Sequence, residues 1–321
     1  MGLNIRSVSG STGKKRTAQA YRKRSELENR LREYEKMQEL ERAKLEVELY
    51  ENKIELIQSI HKESSDLVDW VKLQNSQPPF PPGMPGPKEA AARAALDRYK
   101  PSFLDKLLRR GERKRAELAR KVAEAKAEDE LDYQSWQETT ELAKRIAGGD
   151  TKAYLQVIEA MDLFGDLASF GSRFECIVGD DPKTIAVQFE VLSEKAIPKE
   201  VKSLTKTGKL SVKEMPKTRY FGLLQDYVCS CAIRIARELF AILPVIQVFV
   251  HAEDERMNTS TGFMERVTIL SVKIDRETLS RLNLDAIDCS DAMKNFEHRM
   301  KFLKTAGFQP VEKLEPVGIR S

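Results

Sequence analysis

From Thr17 to Gln77 the chain contains neither Gly nor Pro, and this stretch restricts the fold more than any other feature. It is rich in Glu, Arg, Lys, Leu and Ala, so nothing local prevents one helix from running to about residue 72, roughly 80 Å at 1.5 Å per residue. Within it Leu40, Ala43, Val47, Tyr50, Ile54 and Ile57 follow a 3,4,3,4,3 spacing, the seam of a coiled coil. Upstream, Leu27, Leu31 and Tyr34 keep the spacing in a shifted frame, which makes the seam short and breaks its register. A long helix with one narrow apolar stripe gains its stability by burying that stripe. Residues 17–75 are therefore expected to pair with the next helix of the chain or with a second copy, giving a homodimer or a docked partner protein.

Residues 1–16 read as a basic disordered arm: no acid occurs before Glu26, while Arg6, Lys14, Lys15 and Arg16 do. The segment from Ser9 to Lys15 has part of a phosphate-loop pattern. It has Val8 where that pattern needs Gly and Lys15 where it needs Ser or Thr, so it is set aside. Prolines 78, 79, 81, 82, 85 and 87 mark residues 76–87 as a linker favouring extended polyproline conformation. A second helical segment, 88–149, restarts after Pro101 and stops at Gly148-Gly149. Two helical segments around a Pro-rich turn suggest a helical hairpin.

Nearly all Phe residues lie beyond residue 160, so the packed domain belongs to 150–321. Thr184 to Leu192 alternates as a strand with Ile185, Val187, Phe189 and Val191 on one face, and Arg173 to Val178 precedes it across a Gly179-to-Pro182 turn. Val201 to Glu214 forms a second hairpin about Lys206-Thr-Gly-Lys209. Leu223 to Leu243 is apolar on almost every side, as expected of a central helix buried against a sheet. Strands are expected at 245–252, 266–274 and 308–314, a helix at 276–282 capped by Asp275, and a helix at 291–304 capped by Ser290. The fold class is α+β: long coiled-coil-like N-terminal helices, then a mainly antiparallel sheet domain around a buried helix.

A net charge of +4 on a chain that is 32% charged is near balance, which excludes a surface built throughout for phosphate and leaves any basic site local. Such a site is the run Lys195, Lys199, Lys202, Lys206, Lys209, Lys213, Lys217 and Arg219, followed by Tyr220 and Phe221. Lysines on alternate hairpin positions lie along a phosphate backbone, and they equally protect a sheet edge from unwanted pairing. Asp180, Asp181 and Glu190 beside this run resemble the acid pair of a divalent-metal nuclease, but Val191 and Leu192 follow Glu190 where such a site needs a Lys. On the central helix Asp226, Ser230, Arg234 and Glu238 form one polar stripe, expected to be a solvated Arg234–Glu238 face.

Cys176, Cys229, Cys231 and Cys289 are dispersed without metal-ligand spacing and fit buried structural thiols in a reducing, cytoplasmic setting. The three histidines are scattered, so no catalytic residue, metal or cofactor is assigned. No apolar run is long enough for a signal segment or membrane span, and no membrane partner is expected.

The functional expectation is a non-enzymatic interaction or scaffold protein, self-associating or docking a partner through its helices, with a C-terminal recognition domain. Its seam is Leu40, Val47, Tyr50, Ile54 and Ile57. The second reading is a nucleic-acid-binding protein using Lys14, Lys15, Arg16, Lys202, Lys206, Lys209, Lys213, Lys217 and Arg219. The third is a nuclease-like enzyme centred on Glu190.

Overall fold

A computed structural model describes residues 13–33, 39–101, 110–168, 172–179 and 181–315; the side chains of 13–20, 32, 33 and 110 lie outside that description. The chain divides into two compact units, one holding Asp69–Gly148 and the other Arg6–Val68 together with Gly149–Ser321. Among the described residues no helix is long and apolar enough to cross a membrane.

The single long helix allowed by composition is broken. Helix α1 spans Gly13–Glu33 and so includes the backbone of Lys14, Lys15 and Arg16, while α2 spans Glu39–Ser59 and ends in a 3-10 turn, Ile60–Lys62. Residues 63–69 carry no regular secondary structure, and α3 is only Trp70–Gln74. The break needs no Gly or Pro because side chains of a distant helix take its backbone groups. Glu238 accepts the Ser65 amide at 3.0 Å, and Arg237 donates to the His61 and Glu63 carbonyls.

In the first unit two short helices, α3 and α4 (Pro87–Arg98), pack on the 38-residue α5 (Arg110–Ala147). Prolines at 81 and 82 enter a turn closed by Met84 N–H on the Pro81 carbonyl, with Gly83 at φ 79°, rather than an extended rod. Phe80 packs at a tilt against Tyr133, ring centroids 5.3 Å apart, and Tyr133 likewise against Trp136 at 5.4 Å. Trp136 donates to Ser76 Oγ at 3.0 Å. Asp129 accepts from the Glu89 amide at 2.7 Å at the α4 N-terminus, so close to Gly86 that a Cβ there would stand 2.2 Å from its Cγ.

The second unit continues with α6 (Thr151–Met161), α7 (Gly165–Ala168), β1 (Arg173–Val178), β2 (Thr184–Glu190), α8 (Ser193–Ala196), β3 (Glu200–Leu204), β4 (Leu210–Glu214) and α9 (Lys217–Ile242). It closes with β5 (Gln247–Met257), β6 (Met264–Asp275), α10 (Arg276–Ser280), α11 (Cys289–Ala292), β7 (Glu297–Leu303) and β8 (Gly307–Gln309). The main sheet has the order β1-β2-β5-β6-β7-β8 and is antiparallel except where β2 runs parallel to β5. Strands β3 and β4 form a separate hairpin about the expected turn, with Leu204 opposite Leu210.

Helix α9 lies between two layers. It packs on β5, β6 and β8 and also on α2 and its 3-10 turn, which explains why Leu223 to Leu243 is apolar on almost every side. Asp275 caps α10 as expected, through the Thr278 amide at 2.8 Å. Two expectations at the C-terminus fail. The helix at 291–304 is instead α11, a 3-10 turn (Met293–Asn295) and β7, and its cap is Asp288 rather than Ser290. In β7 burial alternates residue by residue, with His298, Met300 and Phe302 inward, the period-2 signature of a strand.

Candidate functional site

The site is assembled around α9. Its polar stripe, expected in solvent, is buried: Ser230 and Glu238 are each 1% exposed and Arg234 5%. The irregular segment after the 3-10 turn lies against it and converts the stripe into an internal charge cluster. Arg234 contacts Glu238 at 2.6 Å, Asp166 at 3.4 Å and Glu63 at 3.7 Å. His61 Nδ1 lies 3.4 Å from Ser230 Oγ, and the Val68 amide donates to the Ala241 carbonyl at 2.8 Å. Three carboxyls share one guanidinium, on a side chain only 6% exposed, so their mutual repulsion raises the cost of ionising all of them together. Glu63 is pushed up to about 7, first by burial and further by Asp166 and Glu238, against the pull of Arg234. Its Oε2 and the Arg234 Nε are both buried without a hydrogen-bond partner.

On the outer side of this segment opens a groove of about 1240 Å³. Phe240, Ala241 and Leu279 supply a buried apolar floor, Leu67 and Ile246 an exposed apolar rim, and Glu63, Asp66, Asp275 and Glu277 carboxyls. Its two arginines build the walls. Arg237 holds the His61 and Glu63 carbonyls, and Arg276 holds the Leu243 and Val245 carbonyls while lying 4.9 Å over the Phe240 ring. Burial lowers the pKa of both guanidinium groups.

The other residues singled out in the sequence lie elsewhere. Helix α2 packs against α9 and the β3–β4 hairpin, and Val47, Tyr50 and Ile57 are buried in it, Ile54 half-buried and Leu40 44% exposed. The seam is thus largely occupied within one chain. Lys202 pairs with Glu46 of α2 at 3.0 Å, whereas Lys206, Lys209, Lys213, Lys217 and Arg219 are exposed. Lys202 and Arg219 also line a second cavity of about 620 Å³ with Tyr50, Glu51, Ile54, Glu55 and Lys62. The side chains of Lys14, Lys15 and Arg16 lie outside the described residues.

Glu190 has a structural setting, with Arg173 at 3.7 Å and Arg266 at 3.6 Å. Asp181 serves its turn through the Lys183 amide and the Thr184 hydroxyl, which hold its carboxyl below the usual range; Asp180 lies outside the described residues. Among the described residues no group of three His, Cys, Asp or Glu is placed to hold a metal. Cys229, Cys231 and Cys289 are buried and all four cysteines are free thiols; burial raises them, Cys289 to about 11. Comparison with protein-family models, curated proteins and solved structures yields no match for this chain.

Sequence reading found the α9 half of the site and missed residues 61–68. The available signal was Ser64-Ser65-Asp66, three residues that compete with helix through their own side chains, at the end of an otherwise strong helix.

Proposed function

We propose that the protein is a non-enzymatic recognition protein whose sheet-bearing unit holds a segment of a partner in the groove between residues 62–67, α9 and α10. The observation that carries this reading is the groove itself: an apolar floor in a concavity of about 1240 Å³, walled by arginines fixed on backbone carbonyls. Pockets that bind small molecules typically measure about 300–1,000 Å³, so the size suits a peptide segment. The rim residues Ile246 and Leu67 are exposed to 48% and 78% and can be altered without disturbing the core. Nile red, a neutral apolar dye, is expected to bind the full chain and to lose most of its binding in Ile246→Asp and Leu67→Asp. Undiminished dye binding in both variants would refute the groove.

The exposure of Lys206, Lys209, Lys213, Lys217 and Arg219 supports the second reading, contact with nucleic acid. Part of the hairpin's charge has another explanation, since it faces an acidic helix that already engages Lys202. Binding of single- or double-stranded oligonucleotides that weakens steeply with salt, and that Lys206→Glu with Lys209→Glu and Lys213→Glu abolishes, would establish this reading. Binding that survives those changes removes it.

A further inference from the structure

The residues after β8 cross the main sheet without regular secondary structure. Strand register places Ala186 beside Phe249, Gln188 beside His251, and His251 beside Ser271, so these residues and Glu253 share one face of the sheet. Its margins are open to solvent, with Arg173 and Glu175 of β1 and Arg299 of β7 exposed. At its centre Phe249, His251, Glu253 and Ser271 are 5%, 3%, 6% and 0% exposed, and the segment from Val311 to Leu314 lies against them. Leu314 packs with Ala186, Phe249 and Ile177 in a small apolar cluster. Lys313 reaches Glu253 at 2.5 Å and Glu312 reaches Arg299 at 2.7 Å. Two backbone groups complete the attachment: the Val311 amide donates to the Thr268 carbonyl and the Leu314 amide to Ser271 Oγ, both at 2.9 Å.

The polar groups beneath have partners within the sheet itself. Ser271 Oγ also contacts His251 Nδ1 at 2.9 Å, and Glu253 also faces Arg266 at 3.9 Å. Lifting the segment returns His251, Glu253 and Ser271 to water with those contacts intact and uncovers only a small apolar patch. A permanent cover would gain more by resting on apolar residues, because burying polar groups costs free energy that burying hydrocarbon does not.

We infer that this face is a peptide-docking surface which the chain's own residues 311–314 occupy, and that a partner's extended segment with an acid, a base and a Leu-sized apolar residue in succession takes their place. Arg299 receives the acid, Glu253 the base, and Ile177, Ala186 and Phe249 the apolar side chain. The acid contributes least, since Glu312 is 89% exposed; pockets for the base and the apolar group supply the specificity. The groove beside α10 contributes no residue to this surface, so the two readings stand or fall separately.

The first test uses the unaltered full chain, isotopically labelled. Its Leu314 amide is expected to exchange at least about tenfold faster than the Val250 amide of β5, and faster still with excess unlabelled, capped Pro-Val-Glu-Lys-Leu-Glu peptide. Fluorescence polarisation of the same peptide, dye-labelled, gives a second measure. Lys313→Ser with Leu314→Ser removes the competing side chains, so this double variant should bind the peptide at least about tenfold more tightly than the unaltered chain. A peptide with Asp for its Leu should bind the double variant at least about tenfold more weakly, the least that burying a Leu side chain is worth. A peptide with Glu for its Lys should also bind more weakly, and adding Glu253→Gln should narrow that preference to within a few-fold.

Leu314 exchange as slow as that of Val250, with and without peptide, makes the segment a fixed part of the sheet and overturns the inference. So does a double variant that binds no peptide, or one that binds the Lys and Glu peptides alike. Dimerisation of the unaltered chain that Leu314→Ser abolishes would give the face to the same segment of a second copy and overturn the assignment to a partner.

Discussion

Replacing Arg234 by Met leaves Glu238, Asp166 and Glu63 around an uncharged side chain of similar length in a site where Glu238 is 1% exposed. Removing one partner of a buried ion pair costs about 3–5 kcal/mol, because the desolvated charge that remains has nothing to offset it. For a domain of this size that is a fall in Tm of about 6–20 °C. The cost depends on pH in a definite direction. Arg234 pulls Glu63 down, so without the guanidinium this carboxyl sits further above its unfolded value; the variant then binds more protons folded than unfolded and regains stability as pH falls toward 5. Each proton taken up recovers about 1.4 kcal/mol per pH unit. Urea unfolding followed by circular dichroism at pH 7.5 and 5.5 measures both quantities. A loss below about 1 kcal/mol at pH 7.5, or a gap to the parent that stays constant between the two pH values, would show that the cluster is not the charge-deficient site described.

His251 is 3% exposed and bonded to Ser271 at 2.9 Å, and burial, then Lys313, lowers it to about 4. Its contribution is complete above pH 6.5 and is lost at up to about 1.4 kcal/mol per unit as pH falls from 6.5 to about 4; urea midpoints should show this slope in the parent and a shallower one in His251→Asn. Ile57→Ala empties a fully buried position and should cost about 2–5 kcal/mol. Its melting temperature should not vary with protein concentration, whereas a seam closed by a second copy would make it vary. Asp129→Ala removes the acceptor at the α4 N-terminus and should cost about 1 kcal/mol, with faster exchange of the Glu89 amide as the readout.

Local chemistry was legible where it alone decides structure. The β3–β4 hairpin follows from its Lys-Thr-Gly-Lys turn, with Gly208 at φ 81°, and α10 from Asp275. The β1–β2 turn is held by Asp181 as its composition implied. Where distant groups decide, sequence was silent. The end of α2 depends on Glu238 and Arg237, almost two hundred residues away in the chain, accepting and donating to its backbone. The same separation hid the partner of the α2 stripe: the 3,4 spacing correctly marked a buried face, but spacing cannot distinguish a second helix of a coiled coil from α9. At β7 the signal was present and was overridden, because a good cap at Ser290 and residues tolerant of helix drew attention from the alternation of His298, Met300 and Phe302. For the site, the α9 stripe was visible as polar positions on an apolar cylinder, but its burial was not, since the segment that covers it comes from the other end of the chain.

That α9 lies between the sheet and α2 has a consequence for biogenesis. Helix α2 is synthesised first, and its inward side chains must wait for a helix beginning at Lys217. At about 5–20 residues per second the ribosome needs on the order of 10–30 s to supply it. During that interval Val47, Leu56 and Ile57 have no native cover from α9, so the nascent chain passes through a period of dependence on chaperones or on the speed of translation.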